Sequence, residues 1–124
     1  MEDLKIQKTP STPEIDFDKS GQFSIKGRSL PEDPKKFYEP IFSWAENFSS
    51  KKVHLDIKLE YVNTSSSKRI IQLLKIIDSN RRIKKIDMRW YYEIDDLEML
   101  EFGEMIQRNF KRIKTQYLEY EDID

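Results

Sequence analysis

The chain has 124 residues and a mass of 15.0 kDa, and it carries 22 basic and 23 acidic side chains for a formal net charge of −1. This length provides one hydrophobic core, so we expect a single domain over residues 1–124. The balanced charge argues against a nucleic-acid-binding protein, because neutralising phosphates requires an excess of basic residues. The absence of cysteine excludes disulfides and thiolate chemistry, and the single histidine, His54, does not make a metal site alone.

The amino-terminal sequence MEDLKIQKTP is charged and lacks the apolar core of a signal peptide. No apolar run approaches the ~18 residues that indicate a membrane-spanning helix. We therefore expect a cytoplasmic protein with no membrane contact.

The first predicted element is a β-hairpin. Residues 15–17 and 23–25 alternate apolar and polar side chains on either side of a turn that contains Gly21. Leu4 and Ile6 fit an extension of the first of these strands.

After the hairpin, three helices alternate with three strands. Strict period-two alternation predicts strands at residues 53–61 and 86–91, and weaker alternation predicts another at 113–117. Pro40 predicts a turn or kink early in the first helix, and Gly103 weakens the third. The apolar positions at helical spacing are Phe37, Ile41, Trp44 and Phe48, then Ile70, Leu73, Leu74 and Ile77, and then Leu97, Leu100, Met105, Ile106 and Phe110.

The resulting order, ββαβαβαβ, predicts an α/β fold with parallel strands joined by helical crossovers. A parallel strand that is covered on both faces reads as a continuous apolar run, whereas these strands alternate. We therefore predict a two-layer sandwich, in which a mixed sheet of about five strands carries three helices mainly on one face.

Four consecutive hydroxyl side chains, at residues 64–67, lie where the clearest strand passes into the second helix. Ligands gather at this edge of open α/β sheets, and a helix start offers unpaired N–H groups to a phosphoryl group. Plain helix capping by Asn63 or a neighbouring hydroxyl also explains the composition. On pattern alone, capping is the more economical interpretation.

The segment EYVNTSSSKRIIQLL, residues 60–74, resembles the signature of the SiaC family of bacterial regulatory phosphoproteins. Three further segments are similar to the same family, in the same order: TPSTPEIDFD (9–18), GRSLPEDPKKFYEPIFSW (27–44) and WYYEIDDLEMLEFGE (90–104). The sequence departs from the family pattern at Leu30 and Val62, and both departures leave the hydroxyl run intact.

The resemblance implies a fold like that of anti-anti-sigma (STAS) domains and a phosphorylation switch rather than an enzyme. It implies that a partner kinase phosphorylates Thr64 and a partner phosphatase removes the phosphate. It also implies that only the unphosphorylated form binds and activates a target, a diguanylate cyclase. No cofactor and no metal are expected.

Two groups of residues are expected to form the site. The residues beside the phosphate would be Asn63, Ser65, Ser66, Ser67 and Lys68. The partner-binding residues would be Arg28, Ser29, Pro31, Glu32, Glu60, Tyr61, Trp90, Tyr91 and Tyr92. Three aromatic residues at the end of one strand exceed what a single buried face needs, so we expect two in the core and at least one exposed anchor.

Other interpretations remain open at this point. The hydroxyl run and the acidic pair Asp95 and Asp96 fit a small metal-assisted enzyme, although acids at a helix start have a simpler explanation. An unregulated protein-interaction module and a homodimer are also compatible with the sequence. Without the family resemblance, Thr64 is not distinguished as the acceptor from Ser65 or Ser66.

Overall fold

A computed structural model describes residues 1–121, and the last three positions of the predicted domain, 122–124, lie outside the described residues. The described chain contains six strands and three helices. They are β1 (Leu4–Ile6), β2 (Glu14–Phe17), β3 (Gln22–Ser29), α1 (Pro34–Glu46), β4 (Lys52–Val62), α2 (Thr64–Ser79), β5 (Lys85–Glu93), α3 (Leu97–Asn109) and β6 (Ile113–Tyr120).

All six strands form one sheet, in which they lie side by side in the order of the chain. β1, β2 and β3 are antiparallel neighbours, whereas β3, β4, β5 and β6 are parallel. The mixed α/β sheet is confirmed, but it has six strands rather than about five. The extra strand is β1, which pairs with β2 instead of extending it.

The helices form a second layer on one face of the sheet. The parallel strands β3 to β6 follow one another across the sheet in one direction, and crossovers between parallel strands are right-handed. Each connecting helix is therefore placed on the same side of the sheet. The alternation in β4 agrees, because Val53, Leu55, Ile57 and Leu59 are buried while the side chains between them are half-buried. The two-layer architecture is therefore confirmed.

Two helices differ in detail from their predicted apolar faces. α1 runs through Pro40 without interruption, since Pro40 lies on the exposed side, where the loss of one N–H donor is tolerated. Its most buried aromatic residue is Tyr38, which the apolar spacing missed. In α3 the buried first-turn residue is Met99, whereas Leu97 is 62% exposed.

The hairpin between β2 and β3 has the predicted glycine turn. Gly21 has a φ of 109°, and a Cβ at this position would lie 2.1 Å from the carbonyl oxygen of Lys52. Asp18 closes the turn, because its Oδ1 accepts hydrogen bonds from the N–H and the hydroxyl of Ser20. This turn holds β3 directly beside the start of β4.

The second face of the sheet carries a polar network rather than a helix layer. Arg89 donates two hydrogen bonds to the Asp56 carboxylate, at 2.7 and 3.0 Å, and His54 Nε2 lies 3.3 Å from Asp56 Oδ1. Burial by itself raises the pKa of Asp56, but the hydrogen bonds and charge of Arg89, joined by His54, outweigh it and hold that pKa below its ordinary value. His54 is therefore part of a polar network on the strand surface.

No helix within residues 1–121 combines the length and the apolar character that crossing a bilayer requires.

Candidate functional site

The C-terminal ends of β3, β4 and β5 meet at one edge of the sheet, where all three helices begin. Each helix is capped there by an acidic or amide side chain. Asp33 Oδ1 accepts from the N–H of Lys36, and Asp96 Oδ1 accepts from the N–H of Met99. These caps anchor the helix starts, so this edge, which we call the switch edge, presents side chains from rigid positions.

The hydroxyl run occupies the first turn of α2, the middle helix. Asn63 is the N-cap, and its side-chain oxygen accepts a hydrogen bond from the N–H of Ser66 at 2.8 Å. The run therefore does not supply the cap. Thr64 and Ser65 hold the first two helical positions, whose N–H groups have no acceptor within the helix.

The four hydroxyls lie in different environments. Thr64 and Ser65 are exposed, Ser66 is 0% exposed, and Ser67 is half-buried with its Oγ donating to the Thr64 carbonyl at 2.8 Å. Lys68, one position further along, is exposed. An enzyme that approaches from solvent therefore reaches the hydroxyls of Thr64 and Ser65, but not that of Ser66.

Ser66 belongs to a buried chain of hydroxyl groups. Ser29 Oγ donates to Ser66 Oγ at 2.9 Å and lies 2.6 Å from the Tyr38 hydroxyl, which must be the donor because Ser29 has one proton to give. Burial raises the pKa of Tyr38 to about 12, although the hydrogen bond with Ser29 partly offsets this rise. This chain ties the start of α2 to the end of β3 and to α1.

Ser29 and Pro31 are corrections to the predicted partner surface. Both residues are buried, Ser29 at 0% exposure, because the segment that follows β3 turns inward to reach α1. Their side chains therefore contact this chain's own core. Glu32, in the same segment, is exposed.

Arg28 and Tyr61 face each other across the last residues of β3 and β4. A register shift at Gly27 and Arg28 leaves Glu60 without a partner on β3 and pairs Arg28 with Tyr61. The Arg28 guanidinium carbon lies 5.3 Å from the centre of the Tyr61 ring, a cation–π distance, and the Tyr61 side chain remains 44% exposed. The bulge thus presents a charged and aromatic pair on the switch edge, close in sequence to Thr64 through Tyr61.

The aromatic triplet of β5 is divided between three environments. Trp90 is 0% exposed and its Nε1 donates to the Met99 carbonyl at 2.9 Å, so it is one of the aromatic residues in the core and its inclusion among the partner-binding residues is corrected. Tyr92 packs half-buried against the core. Tyr91 lies on the open sheet face near Lys58. Alternation along β5 explains this division, because Trp90 points into the helix layer.

A small cavity of about 200 Å³ lies beside the hydroxyl run, between the end of β4 and the start of α3. Ser67 and Asp96 both line it, so the predicted proximity of hydroxyls and acids is present. Asp96 is engaged as the cap of α3, and within residues 1–121 no group of three or more histidine, cysteine or acidic side chains is arranged to hold a metal ion.

Two exposed apolar residues of this edge were missed by the sequence reasoning. Ile94 is 42% exposed and Leu97 is 62% exposed, and both lie between the end of β5 and the first turn of α3. With Tyr61 they are three of the four large hydrophobic side chains that are exposed within residues 1–121. The available signal was a leucine between acids, in the sequence Asp95-Asp96-Leu97-Glu98.

Known proteins resemble this chain over nearly its whole length. An uncharacterized protein of Pseudomonas aeruginosa (strain UCBPP-PA14) is 31% identical over 109 residues, which cover 84% of this chain and 86% of that protein. The crystal structure of apo-SiaC from Pseudomonas aeruginosa superposes with a TM-score of 0.78 at 30% identity, covering 95% of this chain and 99% of that one.

A second solved structure contains a similar chain within a complex. It is the diguanylate cyclase SiaD with its activator SiaC from Pseudomonas aeruginosa, and it superposes with a TM-score of 0.83 at 27% identity, covering 95% of this chain and 100% of that chain. The sequence model of one family, described as SiaC family regulatory phosphoprotein, matches residues 6–120. The chain therefore belongs to the SiaC family of regulatory phosphoproteins.

Proposed function

We propose that this chain is a cytoplasmic, non-catalytic partner-switching regulator. In its unphosphorylated form it binds and activates a diguanylate cyclase, and phosphorylation blocks that binding. One observation carries the proposal: a similar chain of the same family forms a solved complex with a diguanylate cyclase and is described there as its activator. A partner kinase and a partner phosphatase set the phosphorylation state.

Thr64 is the proposed phosphoacceptor. Its hydroxyl is exposed in the first turn of α2, on a helix whose start is fixed by the Asn63 cap. The neighbouring N–H groups and the positive end of the helix dipole stabilise a phosphate at this position. The burial of Ser66 argues against it as the acceptor, and Ser65 is the exposed neighbour against which the assignment must be tested.

The partner surface we propose lies on the switch edge, which contains Thr64, and extends onto the open sheet face at Tyr91. It contains the exposed or half-buried members of the predicted set together with the two apolar residues beside α3. These residues are Arg28, Glu32, Glu60, Tyr61, Tyr91, Tyr92, Ile94 and Leu97. An arrangement of apolar anchors among charged residues is typical of protein interfaces, whose centres are apolar and whose rims are polar.

The physical basis of the switch is the charge of the phosphate. Phosphorylation adds about −1.5 to −2 charges next to an edge that already carries Glu60, Asp95 and Asp96. When a partner covers this edge, the phosphate must be desolvated or face like charges, which costs several kcal/mol. Reversing a binding equilibrium from 1:99 to 99:1 requires about 5.5 kcal/mol, so one phosphate is sufficient without refolding.

The decisive experiment compares cyclase activation by wild type, Thr64→Ala and phosphorylated wild type, with the phosphosite mapped by mass spectrometry. We expect Thr64→Ala to bind and activate the cyclase constitutively, and the phosphorylated protein to bind at least tenfold more weakly. The matched control is Ser65→Ala, which removes an adjacent exposed hydroxyl and should remain switchable.

Two outcomes of that experiment would contradict the proposal. Equal cyclase affinity for all three forms, measured by calorimetry, would remove the switch. A phosphate that maps to Ser65 would keep the switch and overturn the assignment of Thr64.

A further inference from the structure

A large basic cavity lies at the edge of the sheet opposite to the switch edge. It has a volume of about 780 Å³ and is formed where α1 and α2 end. Ile76 provides an apolar wall, Lys75, Arg81 and Arg82 provide cations, and Glu46 is the acidic side chain among the lining residues. The 11 residues of β4 separate the two edges by roughly 35 Å.

Two of the cationic side chains near this basic cavity donate hydrogen bonds to backbone carbonyls of the chain itself. Arg82 donates to the Glu46 carbonyl at 2.8 Å, and Arg112, in an adjoining recess, donates to the carbonyls of Asp78 and Ile83. These two residues satisfy carbonyl groups at and beyond the helix ends, as basic side chains commonly do there.

The remaining cations have no carboxylate partner among residues 1–121. Lys75 and Arg81 are exposed and, among residues 1–121, neither is within ion-pair distance of a carboxylate. Lys84 lines the adjoining recesses together with Arg81, and its Nζ donates to the Arg81 carbonyl rather than to an acid. The cavity therefore offers unpaired positive charge around an apolar wall, which fits an apolar side chain flanked by carboxylates.

The same chain presents such a group on its switch edge. Leu97 is the most exposed large hydrophobic residue of the described chain, and Asp95, Asp96 and Glu98 flank it. Within residues 1–121, none of these three acids is within ion-pair distance of a basic side chain. Burying a leucine side chain is favourable, so a partner that covers Leu97 adds this hydrophobic free energy to the free energy of binding.

We propose that copies of this chain associate head to tail, with Leu97 and its flanking carboxylates of one copy seated in the basic cavity of the next. The two surfaces are complementary in charge and in apolar character, and the net charge of −1 produces little overall repulsion between copies. Because the surfaces lie on opposite edges, the contact is heterologous and leaves a free surface at each end. Repetition of the contact builds a chain or a ring.

The inference is tested by sedimentation velocity of the full chain over a range of concentrations. We expect association at an ionic strength of about 0.1 M, where the Debye length is about 10 Å, and at least tenfold weaker association at about 1 M, where it is about 3 Å. The cavity variant is Arg81→Glu with Lys84→Glu, which leaves Arg82 and Arg112 in place at the helix ends. It should also weaken association at least tenfold.

A second variant makes the geometry testable. The leucine variant, Leu97→Ala with Glu98→Ala, lacks the inserted group but keeps its basic cavity. Each variant alone should remain monomeric at the concentrations at which wild type associates. An equal mixture of the two variants should form a one-to-one dimer and nothing larger, because the cavity variant still supplies Leu97 and the leucine variant still supplies the basic cavity.

The matched control is Lys26→Glu with Lys114→Glu, which makes the same change of charge at two exposed strand positions outside the basic cavity and away from the first turns of the helices. It should associate like wild type. A wild type that is monomeric at every concentration would overturn the inference and leave the cavity to an acidic surface of another protein. Association that the cavity variant retains would overturn it as well. Cyclase activation by the cavity variant is a separate readout, so a failure here leaves the proposed function intact.

Discussion

Trp90 lies directly beneath Gly103, and a Cβ at residue 103 would come within 2.6 Å of two atoms of the indole ring. Real Cβ contacts are never this close, so the glycine allows α3 to approach β5. The indole is held in place by its hydrogen bond to the Met99 carbonyl and is 0% exposed. A residue that weakens the helix by itself is therefore required by the packing of the helix on the sheet.

Gly103→Ala should lower the free energy of unfolding by about 1–3 kcal/mol, because the added methyl group forces the buried Trp90 ring to move. Alanine favours a helix by about 1 kcal/mol over glycine, so a destabilisation would mean that strain exceeds this gain. Urea denaturation followed by tryptophan fluorescence measures the change. Glu101→Ala, at an exposed position of the same helix, is the control and should be nearly neutral. A more stable Gly103→Ala protein would contradict the close approach.

Tyr38→Phe should destabilise the protein by about 1–3 kcal/mol, because it removes the donor to Ser29 and leaves a buried hydroxyl with one partner fewer. Tyr92→Phe is the matched control. The Tyr92 hydroxyl lies 3.5 Å from Glu119 near the surface, so its loss should change stability by a few tenths of a kcal/mol at most. Thermal unfolding of the two variants separates them. Equal melting temperatures would show that the buried hydroxyl chain contributes nothing.

Hydrophobic alternation predicted the sheet because each strand has one face in the core and one face in polar surroundings. It did not predict Tyr38 or Ser29, since their hydroxyls become compatible with the core only through each other and Ser66. It did not determine whether Trp90 is buried or exposed, because three consecutive aromatic residues do not indicate which of them a helix covers. The exposure of Leu97 was equally hidden, since it depends on where α3 begins relative to the end of β5.

For the candidate site, the sequence predicted the strand-to-helix junction correctly, but it did not predict which of the candidate residues are exposed. The resemblance and the strand-to-helix junction both indicated the first turn of α2, where Thr64 lies exposed. The burial of Ser66 and of Pro31 depends on how the segment after β3 crosses to α1, and no local pattern specifies that path. The cap is Asn63 rather than a hydroxyl of the run. The sequence has five capping-type residues in a row, and their pattern does not indicate which of them caps the helix.

Stability should fall in acid partly through Asp56. Because its folded-state pKa is held below the unfolded value of about 3.9, its contribution is fully present above that value and is lost as the pH falls through the folded pKa. Asp56→Asn should therefore show a shallower loss of stability below about pH 4, by about 1 kcal/mol or less because Arg89 is partly exposed. Urea unfolding at a series of pH values measures this.

The Asp56→Asn protein should keep some acid dependence, and Asp18 is one expected source of it. Asp18 also has a pKa below its ordinary value, chiefly because of the hydrogen bond from the Ser20 hydroxyl, so some slope should remain. Arg89→Gln is a second way to remove the ion pair and should shift the curve in the same direction. Parallel pH curves for wild type and Asp56→Asn would show that this network makes no pH-dependent contribution.

Asn63→Ala should lower stability by about 1 kcal/mol, because it removes the side-chain acceptor for the Ser66 N–H at the start of α2. Asn63→Asp keeps an acceptor at the same place and adds a negative charge at the positive end of the helix dipole, so it should retain the wild-type stability. Both variants leave the Thr64 hydroxyl unchanged. Equal stability of the alanine and aspartate variants would mean that the hydroxyl run itself caps the helix. Thr64 and Ser65 would then have a structural role, and phosphorylation would have to disrupt it.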